Sequence, residues 1–262
     1  MIPRAYIDAW RAHAPWRSDA QVEQDIIICR ALVEIFRHPV LSQQLVFRGG
    51  TALHKLFFSS PRRYSEDIDL VQIEAGPIGP IFDGLRETLE PLLGKPRRKQ
   101  GPGVVTLTYR MDSEIPPVKP LKLKVEINSR EHFAVLGSHP QSFAIESPWI
   151  TAQCDIATFK LEELLGTKLR ALYLRRKGRD LFDLWLGLTE ADADPDGIVE
   201  CFRRYMANTG LTVSRREFEL NLAAKREHPG FATDLADLLP VGIDYDFESG
   251  FAVVEHELLA RL

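Results

Sequence analysis

The sequence predicts an α+β fold, with a mixed β-sheet and flanking helices followed by a C-terminal helical bundle. Segments in which apolar and polar residues alternate with period two predict strands within the first 150 residues. From residue 158 onward, apolar residues recur with the period of an α-helix almost without interruption. The composition changes near Pro148, so we expect two domains, 1–150 and 151–262.

The first predicted helix covers 18–38. Ser18 or Asp19 can cap its start by accepting hydrogen bonds from free backbone N–H groups, and Pro39 follows its end. The rest of the first part is predicted to contain strands at 45–47, 67–73, 104–111, 121–128 and 143–145, and helices at 51–58 and from the Gly/Pro-rich stretch 76–80 to about 93. The predicted helices of the second part are 158–177, 180–189, 196–208, 214–226 and 247–261.

The composition is typical of a globular protein in water. Hydrophobic residues make up 45% of the 262 residues and charged residues 27%, with a net charge of −4. No apolar run approaches the roughly 18 residues that a membrane helix needs. The first six residues also lack the apolar segment of a secretory signal. We therefore expect a cytoplasmic location and no membrane partner.

Cysteine and histidine usage argues against two common kinds of site. The three cysteines, Cys29, Cys154 and Cys201, are far apart and odd in number, which argues against a disulfide framework. No Cys-x-x-Cys pair suggests zinc. The seven histidines are scattered, so we interpret them as surface or packing residues rather than metal ligands. The tryptophans Trp10, Trp16 and Trp149 are likewise interpreted as packing residues rather than base-stacking platforms.

Three features of the first part suit the binding of a nucleotide with a divalent cation. Gly49 and Gly50 stand at a strand-to-helix turn, where the backbone can approach a phosphate and the helix offers free N–H donors. Asp67 and Asp69 alternate along a strand, so both carboxylates leave one face and can bind a hard cation such as Mg²⁺ or Mn²⁺. Glu126, on a later strand, is a candidate for a third carboxylate ligand.

Each of these features also has an ordinary structural interpretation. A Gly-Gly pair is often a plain turn, and an Asp-x-Asp pair often caps a strand or lies in a loop. Glu126, flanked by Lys122 and Lys124, can belong to a solvated face. Their occurrence together favours a site, because two like charges on one face of an apolar strand repel each other unless a cation lies between them.

Two longer motifs resemble those of a known family. The first comprises Phe47–Leu56 (FRGGTALHKL) and Arg63–Leu70 (RYSEDIDL). The second comprises Leu165–Leu172 (LGTKLRAL) and Arg176–Leu184 (RKGRDLFDL). Together they resemble the motifs of the AbiEii/AbiGii toxin family, which consists of nucleotidyltransferases of the polymerase β-type superfamily and includes the MenT toxins. The resemblance covers about 25–190 and implies a nucleotidyltransferase-like sheet.

The resemblance also implies roles for individual residues. It implies that the catalytic residues are Asp67, Asp69, Lys168 and Asp180, with Asp183 as the alternative to Asp180. It implies that the nucleotide-binding residues are Gly49, Gly50, Thr51, Ser65 and Lys168, and that the ligands of Mg²⁺ or Mn²⁺ are Asp67 and Asp69, with Glu126 as a further candidate.

Taken alone, the second motif has an ordinary interpretation as well. Arg179 and Asp183 are i,i+4 neighbours on a predicted helix and can form a surface ion pair. Lys168 can equally be solvated. Its chemistry nevertheless suits the implied role, because lysine carries a flexible point charge that can follow a triphosphate.

The implied reaction is the transfer of a nucleoside monophosphate from an NTP to a hydroxyl, with release of pyrophosphate. The resemblance implies RNA as the acceptor, in particular the 3′ end of a tRNA, whose modification blocks translation. A toxin also implies a separately encoded antitoxin. Three other interpretations stay open: transfer to a protein or small molecule, nucleotide binding without turnover, and an interaction protein whose acidic pair caps a strand. Basic clusters at 97–99, 175–177 and 215–216 suit either an RNA backbone or solubility.

Overall fold

The computed structural model describes residues 2–243 and 245–262. The chain forms two compact units. The first runs to Phe133 and resumes over Ser138–Phe159, and the second comprises Ala134–Gly137 and Lys160–Leu262. The predicted α+β fold is confirmed, and the units divide later in the chain than the predicted join at 150, because one more strand follows that point.

The first unit is built on one mixed sheet. Its strands in the described residues are β1 (Leu45–Arg48), β2 (Asp67–Gln72), β3 (Arg97–Gly101), β4 (Val104–Asp112), β5 (Pro120–Asn128), β6 (Ser138–Glu146) and β7 (Thr151–Phe159). Their order across the sheet is β3-β4-β5-β2-β1-β7-β6. β2 pairs in parallel with β5, and β1 pairs in parallel with β7, whereas the other neighbours are antiparallel.

Helices cover the apolar side of this sheet. The helices of the first unit are α1 (Arg4–Trp10), α2 (Asp19–Arg37), α3 (Pro39–Gln44), α4 (Gly49–Leu56) and α5 (Gly79–Leu93). α2 begins as predicted, because the Ser18 side chain accepts from the backbone N–H of Gln21 in a reciprocal capping box. α2 packs on β5 and α5 packs on β4, where alternate side chains such as Leu107 and Val125 are buried. α4 packs on β1, β2 and β6.

Three strands differ from the sequence prediction. All residues of β3 are exposed, so this edge strand shows no apolar alternation, and its sequence indicates only a basic cluster. β6 extends well beyond the predicted 143–145. β7 includes residues 158 and 159, where a helix was predicted, and the helix begins only at Leu161. The inward side chains of β7 include Ala152 and Thr158, which carry little hydrophobic signal.

The second unit is helical. Its helices are α6 (Leu161–Leu174), α7 (Gly178–Glu190), α8 (Pro195–Ala207), α9 (Arg215–Arg226), α10 (Pro229–Thr233) and α11 (Phe247–Glu257), followed by a 3-10 helix (Leu259–Arg261). α6 packs on both α7 and α8. Gly166 allows the close approach to α8, because a Cβ there would lie 2.5 Å from Cβ of Cys201. Every helix in the described residues is too short or too polar to cross a membrane.

A buried carboxylate ties the short segment 134–137 to the second unit. The Glu163 side chain accepts hydrogen bonds from the backbone N–H groups of Val135 and Leu136, each 2.8 Å long. It also accepts a third hydrogen bond, again 2.8 Å long, from the hydroxyl of Tyr205. Because Glu163 has no exposed surface, these three donors replace the water that a carboxylate would otherwise need.

Candidate functional site

The glycine turn brings a carboxylate of β2 against the start of α4. Gly49 has φ +83°, a left-handed conformation that glycine adopts without strain. A Cβ on Gly49 would lie only 2.1 Å from Oδ2 of Asp69, so the missing side chain is what allows this contact. The Asp69 carboxylate therefore lies beside the end of α4 whose backbone N–H groups have no partner within the helix.

Two hydroxyl groups join the start of α4 to the segment before β2. Thr51 donates its hydroxyl proton to the backbone carbonyl of Asp67. Its Oγ1 lies 2.8 Å from Oγ of Ser65, so Ser65 donates in that hydrogen bond because Thr51 has only one proton to give. Thr51 is 1% exposed, so its hydroxyl is buried and links two chain segments through these hydrogen bonds. Ser65 is half-buried and lies beside Gly50, where a Cβ would be 3.3 Å from its hydroxyl.

The two aspartates of β2 lie on one face, as the alternation predicts. Asp67 and Asp69 are half-buried, whereas the residues that alternate with them are buried in the core. The parallel register with β5 places Lys124 opposite Asp67 and Glu126 opposite Asp69. Nζ of Lys124 lies 3.2 Å from Oδ2 of Asp67, and each of these two side chains is 34% exposed. An ammonium group thus supplies a positive charge beside the acidic pair.

The acidic pair has the chemistry of a divalent-cation site without being a complete one. Within residues 2–243 and 245–262, no group of three or more histidine, cysteine, aspartate or glutamate side chains is arranged to hold a metal ion. Glu126 shares the face but is not assembled with the pair into a three-carboxylate cluster. A pair of partly exposed carboxylates, one of which already contacts an ammonium group, nevertheless suits a hard cation such as Mg²⁺. The residues therefore fit a cation held by Asp67 and Asp69.

A buried ion pair connects α4 to α2. Nζ of Lys55, on α4, lies 2.8 and 2.7 Å from the two carboxylate oxygens of Asp25 on α2. The same carboxylate accepts hydrogen bonds from the indole nitrogens of Trp10, at 2.9 Å, and Trp16, at 3.0 Å. Burial is the largest single effect and lowers the pKa of Lys55, but the charge and hydrogen bond of Asp25, together with Cys29, outweigh it, so the pKa of Lys55 is raised and the lysine stays charged.

The second motif forms a buried cluster within the helical unit. Nζ of Lys168 lies 2.8 Å from Oδ2 of Asp183 and 3.4 Å from Oδ1 of Asp180. Arg175 binds Asp180 through two nitrogens, at 2.7 and 2.8 Å. Both aspartates are completely buried and Lys168 is 7% exposed. The interpretation of Lys168 as a solvated residue is therefore wrong.

The choice between Asp180 and Asp183 is not settled by proximity to the lysine, because both contact Lys168. Asp183 makes the shorter contact, and Asp180 has the guanidinium of Arg175 as a second partner. The alternative in which Arg179 and Asp183 form a surface pair is wrong, because Asp183 is completely buried. Triphosphate binding by Lys168 stays a prediction that rests on the motif.

The geometry can be compared with known proteins. A family model described as "Nucleotidyl transferase AbiEii toxin, Type IV TA system" matches residues 30–253. The chain belongs to the AbiEii nucleotidyltransferase toxin family. The resemblance inferred from the two motifs is therefore confirmed, and the protein is a toxin nucleotidyltransferase of this family. A search of curated protein sequences found no significant match.

Solved structures agree with this AbiEii fold. MenT4, a nucleotidyltransferase toxin from Mycobacterium tuberculosis H37Rv, is similar over 100% of this chain and 91% of its own, with a TM-score of 0.69 and 18% identity. JHP933 from Helicobacter pylori is similar over 93% of this chain and 91% of its own, with a TM-score of 0.56 and 18% identity. At these identities the similarity shows the fold. The nucleotidyltransferase-like fold predicted from the resemblance is confirmed.

The structure of this AbiEii protein also shows contacts in the candidate site that the sequence does not predict. In the sequence Lys124 indicates only a solvated face around Glu126, yet in the structure it contacts Asp67. The signal available was its position two residues before Glu126, which puts both side chains on one face of the strand. Lys55 stands inside the first motif, but nothing local to it indicated Asp25 as its partner.

Replacing Lys124 with methionine should increase the affinity of the nucleotide-free AbiEii protein for Mn²⁺ by about 5-fold. The substitution removes the ammonium that competes for Asp67, and a contact between partly exposed charges is worth on the order of 1 kcal/mol. Mn²⁺ titration followed by electron paramagnetic resonance measures this directly. Lys122→Met is the matched control, since Lys122 is exposed on the same face of β5. Equal gains in both variants would count against a direct contact.

Replacing Gly49 with alanine should lower nucleotide transfer about 100-fold. The methyl group would occupy the space of the Asp69 carboxylate and displace it, and displacements of about 1 Å can reduce rates by that factor. The left-handed backbone adds a destabilisation of about 1–2 kcal/mol. Transfer rates and urea denaturation provide the measurements. The control is Gly79→Ala, whose added methyl meets nothing within 4 Å. Wild-type activity in Gly49→Ala would refute the proposed importance of this contact.

Proposed function

We propose that this protein transfers a nucleoside monophosphate from an NTP to RNA, with the 3′ end of a tRNA as acceptor, and thereby blocks translation. The observation that carries the proposal is the contact of the Asp69 carboxylate with the Gly49 turn, on the face that Asp69 shares with Asp67. A phosphate-binding turn and a pair of cation ligands are the two parts that a nucleotidyl transfer needs at one place.

In this proposal the residues of the first unit divide the work of binding. Asp67 and Asp69 would hold Mg²⁺ or Mn²⁺, with Glu126 as a further candidate ligand. The cation, when bound, supplies positive charge to the triphosphate and favours ionisation of the attacking hydroxyl. Gly49 and Gly50 offer backbone N–H groups to the phosphates at the start of α4.

Other residues of the protein keep these groups in position. Thr51 and Ser65 hold the start of α4 to the segment before β2 through their hydroxyl groups. The Lys55–Asp25 pair fixes the other end of α4. We assign Lys168 and Asp180, with Asp183 as the alternative, to the triphosphate and the catalytic set on the strength of the motif. A Lys168→Met variant with an unchanged KM for NTP and unchanged kcat would remove Lys168 from that set.

In the proposed reaction one bond forms and one bond breaks. The 3′-hydroxyl oxygen of the RNA forms a bond to the α-phosphorus of the NTP. The bond from the α-phosphorus to the oxygen that bridges it to the β-phosphorus breaks, and pyrophosphate leaves with that oxygen. The hydroxyl proton passes to solvent. The products are an RNA longer by one nucleotide and pyrophosphate.

Incubation of the protein with each α-labelled NTP, Mg²⁺ and total RNA tests the proposal. We expect label in the RNA fraction with at least one NTP, and sequencing of the 3′ ends should find added nucleotides on tRNA. Label in the protein fraction would replace RNA with a protein acceptor. Nucleotide binding with no transfer to RNA, protein or small molecules would indicate a non-catalytic nucleotide-binding protein.

The proposal has consequences in the cell. Its substrates, NTP and tRNA, imply a cytoplasmic location. Expression of the protein should arrest growth, and a separately encoded antitoxin should restore it. The growth arrest should require Asp69, because the same carboxylate is needed for transfer.

A further inference from the structure

The sheet face that carries the acidic pair continues across three more strands. Its lateral neighbours follow from the registers of β2 with β5, β5 with β4 and β4 with β3. Residues in register on neighbouring strands present their side chains to the same face, about 5 Å apart. The rows across this face are Asp67–Lys124–Thr108–Arg97, Asp69–Glu126–Thr106–Lys99 and Lys122–Arg110.

Positive charge dominates this surface beyond the acidic pair. We define the basic sheet face as the cations that these rows contribute, namely Arg97, Lys99, Arg110, Lys122 and Lys124. The acids on the same side of β4 and β5 are Glu126, next to Asp69, and Asp112, at the end of β4. The opposite side of these strands is apolar and buried under α2 and α5.

Four of these five cations make no ion pair within the described residues. Arg97, Lys99, Arg110 and Lys122 are exposed, and in the part of the chain that the structure describes none of the four side chains makes an ion pair. β3 lies three strand spacings from β2, which is about 14 Å. The outer cations are therefore separated from the acidic pair by the width of the intervening strands. This placement suits a ligand that extends along the sheet from the acidic pair.

We propose that the basic sheet face binds the phosphate backbone of the acceptor RNA and guides its 3′ end toward Asp67 and Asp69. This inference rests on the proposed function. Its physical basis is charge complementarity, because a row of unpaired cations attracts a linear polyanion and releases its counterions. Threonine hydroxyls stand between the cations, and hydroxyl groups are common phosphate ligands.

The edge strand offers a matched pair of variants. Arg97→Gln/Lys99→Gln removes two charges from the basic sheet face. Lys95→Gln/Arg98→Gln removes two charges nearby but outside the basic sheet face, because Arg98 points to the opposite side of β3 and its guanidinium lies 4.0 Å from the ring centre of Phe82. Both variants have the same net charge. Thermal unfolding should show both to be folded.

Binding of fluorescently labelled, deacylated bulk tRNA over a range of salt concentrations is the primary measurement. For Arg97→Gln/Lys99→Gln we expect Kd to increase about 10-fold at low salt. The slope of log Kd against log salt should fall by about 1.5–2, because each lost phosphate contact removes close to one unit. Lys95→Gln/Arg98→Gln should change Kd less than about 2-fold. No change in the first variant, or equal changes in both, would overturn the proposal.

Further arms separate this inference from the proposed function. Affinity for a non-hydrolysable NTP with Mg²⁺ should be the same in both variants and the wild type. If the wild type labels no RNA but the basic-face variant loses tRNA binding, the proposed function fails and the inference stands. If the wild type and both variants label RNA with the same KM for tRNA, the inference fails and the proposed function stands. Binding to phosphatidylserine vesicles without binding to tRNA would overturn it in favour of a lipid surface.

Discussion

Replacing Asp69 with asparagine should lower nucleotide transfer by on the order of 1000-fold while leaving the protein folded. Asparagine has the shape of aspartate and still fits against Gly49, so the turn is kept. It lacks the charge that a divalent cation requires, and loss of one electrostatic contact to a transition state typically reduces rates by a factor of 100 to 1000. Transfer rates with labelled NTP and tRNA measure the effect.

The matched control for this prediction is Glu66→Gln. Glu66 is exposed and adjacent to Asp67 in sequence. The substitution therefore removes one negative charge close to the proposed site without removing a proposed ligand. We expect its transfer rate to stay within about 3-fold of wild type. The thermal midpoint of Asp69→Asn should not fall, because the substitution relieves repulsion between two carboxylates on one face. Transfer at the wild-type rate by Asp69→Asn would end the assignment of Asp69 as a cation ligand.

Replacing Lys55 with methionine should destabilise the protein by about 3–5 kcal/mol. The substitution leaves the Asp25 carboxylate, 1% exposed, without its cationic partner. The indole N–H groups of Trp10 and Trp16 still donate to it, but they carry no net charge. Urea denaturation at neutral pH measures the free energy of unfolding. A loss below 1 kcal/mol would mean that the pair contributes little.

A double variant separates the charge from the packing. Asp25→Asn/Lys55→Met removes both charges, so it should be more stable than Lys55→Met alone. The exposed pair of Arg215 and Glu219 provides the comparison, because its atoms are equally close, at 2.6 Å, but in solvent. Arg215→Met should cost at most about 0.5 kcal/mol. A double variant less stable than Lys55→Met would show that the cost lies in packing.

The elements that the sequence predicts well are those with a strong local signal. β5 alternates along its length and β2 alternates over its first four residues, and both strands are predicted to within a residue at each end. α2 has a capping residue before it and a proline after it. β3 was missed because an edge strand with every residue exposed has no apolar period. The same exposure is what leaves its arginines accessible.

Contacts in the candidate site also differ in whether the sequence predicts them. The shared face of Asp67 and Asp69 follows from strand geometry and was predictable. The contact of Lys124 with Asp67 depends on the register between two strands that are far apart in the chain, which neither strand encodes alone. The burial of Lys168 between Asp180 and Asp183 depends on the packing of α6 against α7, which a helical period does not specify.

The hydrogen bonds of Glu163 limit how this protein can be dissected. Two of its three donors belong to residues 135 and 136, which precede two strands of the sheet, and the third belongs to α8. A fragment that starts at Lys160 would keep the carboxylate and lose two of its partners. Dividing the chain at a single point therefore does not yield an intact second unit. Split-reporter or domain-exchange experiments should transfer residues 134–137 together with residues 160–262.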